Sequence, residues 1–474
     1  MKTTDLKYEQ VADRLAHSIE QGVYRPGERI PSVRAFSQQQ AVSVSTVLQA
    51  YLLLENRGLI EARPQSGYYV RAAPQAHLPE PETSSPGPNP SQVSLNDIVT
   101  MVLRDTQNPG LAQLGAALPN LELLPIETIN RLMVAQARNL PPQAHQYEFA
   151  PGFEELRVQI ARRAVASGCD LGPQDIVITS GGTEAIDLCL HAVCRPGDIV
   201  AIESPTYFGT LQALELHRLR ALEIPTHPRE GISLGALQFA LEHNPIRAVL
   251  VMPNFNNPLG SCIPDERKED LVRLLERYDV PLIENNVYGE LYFTEKAPQA
   301  AKTFDQKGLV LLCSSFSKDI SPGLRVGWTA PGRYRDAVEW MKSTASVAAN
   351  SLSQRVVAAF LQSAGYERHL RRIRREYARN VALMSQAVPR YFPPGTRVTR
   401  PTGGFVLWVG LPEQMDSLDL YRRALGAGIT LTPGYVFSPT NQFPNFIRLN
   451  AAAWSYATER ALERLGELCF EAAS

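Results

Sequence analysis

The chain has 474 residues, of which 44% are hydrophobic and 20% charged, enough for about three folding units and unlike a disordered or collagenous protein. Its 47 basic and 48 acidic residues cancel, so any surface for nucleic acid or membrane has to be local. The six cysteines include no CxxC pair and the eight histidines show no ligand spacing beside them, which argues against a disulfide framework and a metal site.

The first residues, MKTTDLKYEQVADRL, are charged, and no apolar run approaches the ~18 residues of a membrane span, so a cytoplasmic protein is expected. Residues 1–72 then read as three helices and a hairpin. Tyr8, Val11, Leu15 and Ile19 recur at helical spacing up to Gly22. Ser32 precedes a second helical stretch, Val33 to Gln39. Ser43 or Ser45 caps a third helix with Val47, Ala50, Tyr51 and Leu54 on its apolar face, ending at Gly58. LIEAR and YYVRA, joined by the turn-forming PQSG, complete a winged helix-turn-helix.

Residues 73–94 carry six prolines and read as a linker, extended at ~3 Å per residue. From residue 95 onward, short apolar runs (DIVITS, GDIVAIES, RAVLVMPN, VPLIENN, LVLLCSS) alternate with helical stretches such as 183–194 and 265–278. That alternation predicts an α/β domain over 95–474, built on a mostly parallel sheet covered on both faces. After about residue 330, helical patterns, the strand-like TGGFVLWV and a last helix predict a smaller α+β subdomain. Arg368, Arg371, Arg372, Arg374, Arg375 and Arg379 share one of those helices and read as a solvated face, with a secondary DNA contact as the alternative.

The text RPGERIPSVRAFS, followed by VSVSTVLQAYLLLENRGLIEARPQSGYYV, resembles the GntR class of bacterial winged-helix repressors over residues 8–70. The resemblance implies double-stranded promoter DNA as a partner. Its third helix would enter the major groove with Ser43, Ser45 and Thr46 near the helix N-terminus; Arg34 would contact DNA, and Gly67 would lie at the wing tip. Many relatives carry an arginine where this chain has Val44, so an Arg-to-guanine contact is missing from the expected set. With nine basic against seven acidic residues in 1–72, the unit is weakly charged for a DNA binder, and a homodimer is expected.

The segment LLCSSFSKDISPGLRVGW resembles the fold-type I aminotransferases. The resemblance implies pyridoxal 5'-phosphate (PLP) as cofactor, joined to Lys318 as a Schiff base. A lysine amine reacts this way only when deprotonated, which desolvation and a neighbouring cation favour. Ser315 and Arg325 would hold the phosphate together with Gly181, Gly182 and Thr183, which open a helix after DIVITS. Tyr207 would stack on the ring, Asn257 would bond its hydroxyl, and Arg448 would grip a substrate or effector carboxylate. Tyr147 would reach the phosphate of the neighbouring subunit.

One position departs from that family. In VPLIENNVYGELYF the family carries an aspartate three residues before the tyrosine matching Tyr288, and this chain has Asn285. An aspartate keeps the pyridine nitrogen protonated; a neutral amide does not. Strand alternation sends Glu284 and Asn286 to the other face, with a shifted register as the way to bring a carboxylate back.

A GntR-type reader joined to an aminotransferase-like domain resembles the MocR subfamily of transcriptional regulators. This implies a PLP-responsive DNA-binding regulator that senses PLP or a PLP–amine adduct, with weak or vestigial transamination. The alternative is an active PLP-dependent aminotransferase with an accessory DNA-binding domain.

Overall fold

The computed structural model describes residues 7–20, 23–24, 27–56, 59–63, 66–70, 78–94 and 97–473. The helix stops expected at Gly22 and Gly58, half of the PQSG turn and residues 73–77 of the expected linker lie outside these. The chain divides into two units, Met1–His77 and Leu78–Ser474.

In the first unit, α1 (Lys7–Glu20), α2 (Val33–Gln40) and α3 (Val44–Asn56) are followed by a hairpin of β1 (Ile60–Arg63) and β2 (Gly67–Val70). The hairpin is antiparallel, from Ile60 opposite Val70 to Arg63 opposite Gly67. Val11, Leu15, Val47, Ala50, Leu54 and Ile60 fill the core from three elements. Ser32 caps α2 by accepting the Ala35 N–H, and Ser43, not Ser45, caps α3 by accepting the Thr46 N–H at 3.2 Å. Tyr51 is fully buried and donates its hydroxyl to the Pro31 carbonyl at 2.8 Å. Tyr51→Phe leaves that carbonyl without its donor. It should cost about 1–2 kcal/mol, read as a lower urea midpoint for loss of helical signal.

The second unit is built on one large sheet. Its strands are β3 (Ser91–Gln92), β4 (Val177–Thr179), β5 (Ile199–Ser204), β6 (Arg220–His227), β7 (Ile246–Val251), β8 (Leu282–Asn285), β9 (Val310–Ser315) and β10 (Gly327–Ala330). They lie in the order β3-β6-β5-β7-β8-β9-β10-β4, with Gly231–Ile232 paired beside β6. Neighbours from β6 through β9 pair in parallel, and β10 runs antiparallel between β9 and β4. Every residue of β5 is buried, as expected for a strand covered on both faces. The helices α4 (Asp97–Asp105), α5 (Glu154–Ala166), α6 (Gly182–Val193) and α7 (Asp265–Tyr278) belong to this unit.

After residue 330 the long helix α8 (Ala364–Tyr391), a four-stranded antiparallel sheet and the last helix, α9 (Tyr456–Ala473), form a smaller α+β part with its own core. The arginines of α8 are only partly a solvated face: Arg374 bonds Glu290 at 2.8 Å and stacks on Tyr292, and Arg372 donates to the Leu123 carbonyl. No helix among the described residues is long and apolar enough to cross a membrane.

The expected linker differs from a free spacer. Residues 78–94 belong to the second unit and are strapped along it. Glu80 pairs with Arg229 and accepts the Arg400 N–H, and Arg397 donates to Glu82 at 2.6 Å. Ser84 donates to the Ser204 carbonyl and accepts the Thr226 N–H at 2.9 Å. Ser91 and Gln92 pair antiparallel with β6 and form the edge of the sheet. Proline removes backbone donors but not side-chain or carbonyl partners, so such a run can be fastened without a continuous ladder.

Candidate cofactor cavity and DNA-reading surface

The carboxyl ends of β4, β5, β7, β8 and β9 open onto one cavity of about 260 Å³. Ligands of open α/β sheets collect at this edge, because there each strand hands over to a loop. The cavity gathers Gly182, Thr183, Tyr207, Asn257, Asn285, Tyr288, Ser315, Lys318, Arg325 and Arg448 from widely separated positions along the chain. Its charged walls are all cationic (Lys318, Arg325 and Arg448), so it suits a ligand with a phosphate and a carboxylate.

Gly181 is the N-cap of α6, with φ +97°, and a Cβ there would meet the Arg325 guanidinium at 2.4 Å. Only a residue without a side chain lets the helix N-terminus and that cation converge. Arg325 itself donates to the Ser180 carbonyl at 3.0 Å. Lys318 donates to the Ala117 carbonyl at 2.8 Å. Burial, followed by the charges of Arg448 and Arg325, lowers its pKa from 10.5 to about 8.

That shift increases the neutral amine at pH 7 by roughly two orders of magnitude. The unfolded chain binds the proton more tightly, so the buried ammonium costs stability below about pH 8. The cost is relieved as the pH rises from about 8 towards 10.5. Only the neutral amine attacks an aldehyde. Capture of PLP by cofactor-free protein should therefore accelerate about tenfold per pH unit up to about pH 8 and then level off, as followed by stopped-flow absorbance.

Arg448 lies on the strand Phe446–Asn450 and is almost fully buried, with burial lowering its pKa to about 10. It donates to Asn257 Oδ1 at 2.9 Å, to the Gly115 carbonyl and to Thr432, and its Nε has no partner. Asn285 Oδ1 and the Tyr288 hydroxyl are also buried without partners. Orphaned polar atoms at the floor of an otherwise satisfied cavity mark where a polar ring would be met, so the residues present fit PLP. Glu284 is turned away, accepting the Ala301 and Lys302 N–H groups at 2.9 Å, and Asn286 accepts from Asn254. The register therefore presents the amide of Asn285 and no carboxylate to the cavity.

Two of the expected cofactor residues do not line the cavity: Gly181, which caps α6 beside Arg325, and Tyr147. Tyr147 is 71% exposed. Sequence reasoning missed Val102 and Leu103 of α4 and the Ala116–Leu118 run, which also wall the cavity. Their signal was only amphipathic spacing, which does not say what a face covers.

On the first unit, Arg34, Ser43 and Ser45 are exposed, while Thr46 and Gly67 are half-buried. The hydroxyls are partly spoken for: Ser43 Oγ lies 2.9 Å from Ser45 Oγ and 2.7 Å from Thr46 Oγ1. Gly67 has φ +106° beside the Arg29 guanidinium, next to the turn. Val44, Leu48 and Leu52 form an exposed apolar stripe along α3.

A winged helix in one unit and a lysine-bearing, cation-lined cavity at the edge of a mostly parallel sheet in the other define a DNA-binding regulator carrying a PLP-dependent aminotransferase fold. Residues 121–465 match the family Aminotransferase class I and II, and residues 7–70 match Bacterial regulatory proteins, gntR family. The chain belongs to these families and has the MocR-type combination of the two. It is 41% identical over 98% of its length to the HTH-type transcriptional regulator YjiR of Escherichia coli K12, covering 99% of that protein. It is 38% identical to YdcR of the same strain, with the same coverage. Among solved structures, LysN, the α-aminoadipate aminotransferase of Thermus thermophilus complexed with N-(5'-phosphopyridoxyl)-L-leucine, superposes with TM-score 0.74 and 28% identity, over 80% of this chain and 96% of that one.

Proposed function

We propose that the protein is a transcriptional regulator whose second unit binds PLP, or PLP combined with an amine, and thereby changes how the first unit holds promoter DNA, with transamination weak or absent. The observation that carries this reading is Asn285 at the floor of a cavity otherwise furnished for the cofactor. PLP, when bound, supplies an aldehyde for amines and a ring that draws electrons from what it holds. In this reading Lys318 supplies the attacking amine, with its proton already loosened by burial and two cations. Arg325, Ser315, Thr183 and the N-terminus of α6 hold the phosphate. Asn257 and Tyr288 would orient the ring, Tyr207 would cover its face, and Arg448 would receive the carboxylate of an incoming amino acid.

Asn285 would meet the ring nitrogen without adding negative charge, so little would be offered to hold a proton there. Binding is retained while the drive for amino-group transfer is reduced. The working unit is a cytoplasmic homodimer in which the exposed Tyr147 of one copy serves the other copy's phosphate. For regulation, the ligand has to favour one DNA-binding state over another by differential affinity.

The test is a gel-shift on the protein's own upstream region with no addition, with PLP and with pyridoxal. The reading expects PLP to change retention and pyridoxal, which lacks the phosphate, to leave it unchanged. Equal retention in all three lanes would discard it. The second reading, an active aminotransferase with an accessory DNA-binding domain, is favoured by the buried, carboxylate-ready Arg448. It expects turnover with an amino acid and no effect of PLP on DNA.

A further inference from the structure

Behind the cofactor cavity lies a second cavity of about 100 Å³. Ser315, at the end of β9, borders both. Ile160 and Ala164 of α5, Leu312 of β9, and the rings of Phe316, Trp328 and Tyr366 give this second cavity a mainly apolar and aromatic wall. At about 30 Å³ per water, the space has room for about three waters.

Its charges do not cancel. Of the three charged residues on its wall, Arg163 and Glu290 pair with each other at 2.8 Å. Asp319, the residue after Lys318, is left over. It is 4% exposed; one oxygen accepts the Tyr366 hydroxyl and the other, Oδ1, is buried without a partner. Burial raises its pKa to about 6, against the Tyr366 hydrogen bond, so the carboxylate remains mostly ionised at neutral pH. An ionised oxygen beside an aromatic-walled space attracts a cation that is itself partly apolar. Among the described residues no group of three histidine, cysteine, aspartate or glutamate side chains could hold a metal ion.

We infer that this second cavity is a binding site for a small organic ammonium ion, held at Asp319 and packed against Phe316, Trp328 and Tyr366. The site needs no cofactor, so it stands apart from the proposed function. Its ligand would nevertheless press on Ser315, Phe316 and Asp319, which flank Lys318 in the chain. An occupied second site is thus placed to adjust the reactive lysine from behind.

The test uses the full-length protein and trimethylammonium, a four-heavy-atom cation with one N–H. As a tertiary amine it forms no imine with an aldehyde, so cofactor chemistry does not enter. Saturation-transfer NMR should show saturable binding of trimethylammonium, with sodium chloride at equal ionic strength unable to compete. Asp319→Asn should weaken it at least tenfold. Ala164→Phe, which fills the cavity from α5 and keeps the carboxylate, should abolish it and serves if Asp319→Asn does not fold. Absence of saturable binding, unchanged binding in both variants, or equal displacement by potassium or sodium chloride would overturn the inference.

Discussion

Lys318→Ala should remove the visible absorption of the PLP-loaded protein and the mass that borohydride treatment fixes to the chain, and should weaken PLP binding at least a hundredfold, about 2.7 kcal/mol. Lys318 is the one lysine bordering the cofactor cavity, and its amine is already poised near neutrality by burial and by Arg448 and Arg325. The phosphate contacts do not depend on it, so residual binding should resemble that of a phosphorylated ligand without an aldehyde. The fold should be undamaged: removing a buried amine of depressed pKa also removes a charge that the folded state holds at a cost. Unchanged absorption and labelling in the variant would refute the assignment of the cofactor to this lysine.

Asn285→Asp should accelerate the half-reaction with a good amino acid at least tenfold, about 1.4 kcal/mol of barrier. The pairing of β8 with β7 and β9 fixes which side chain faces the cavity, and the carboxylate of Glu284 is taken up by two backbone N–H groups on the far face. No register shift supplies the missing negative charge, so a carboxylate has to be introduced at position 285. The measurement is the loss of the aldehyde-form absorbance across a panel of amino acids, parent against variant. An unaltered rate would mean that the amide at 285 is not what limits transfer.

Much of this architecture was readable in the residues alone. Strands buried on both faces announce themselves as apolar runs: β4, β5, β8 and β9 fall inside the runs read for them, and β7 begins one residue before its run. The strands β6 and β10 escaped, because Arg220–His227 is broken by a proline and charges and Gly327–Ala330 is too short to show a period. Most of the cavity-lining residues were legible because they sit where a strand gives way to a loop, in short motifs whose residue types suit one task; Arg448 lies in the middle of its strand and was legible by its motif alone. The walls from α4 and Ala116–Leu118 were not, since an apolar side chain looks the same in a sequence whether it meets a core or a ligand. Proline content revealed an extended segment at 78–94 but could not reveal that Glu80, Glu82 and Ser84 find partners along the second unit.

That strap gives the molecule leverage. Ser84 grips the carbonyl of Ser204, three residues before Tyr207, and Ser204 in turn donates to the buried Glu223, on which Ser438, Thr440 and Gln442 also converge. The strap is thereby fastened to the backbone that leads into Tyr207, one wall of the cofactor cavity.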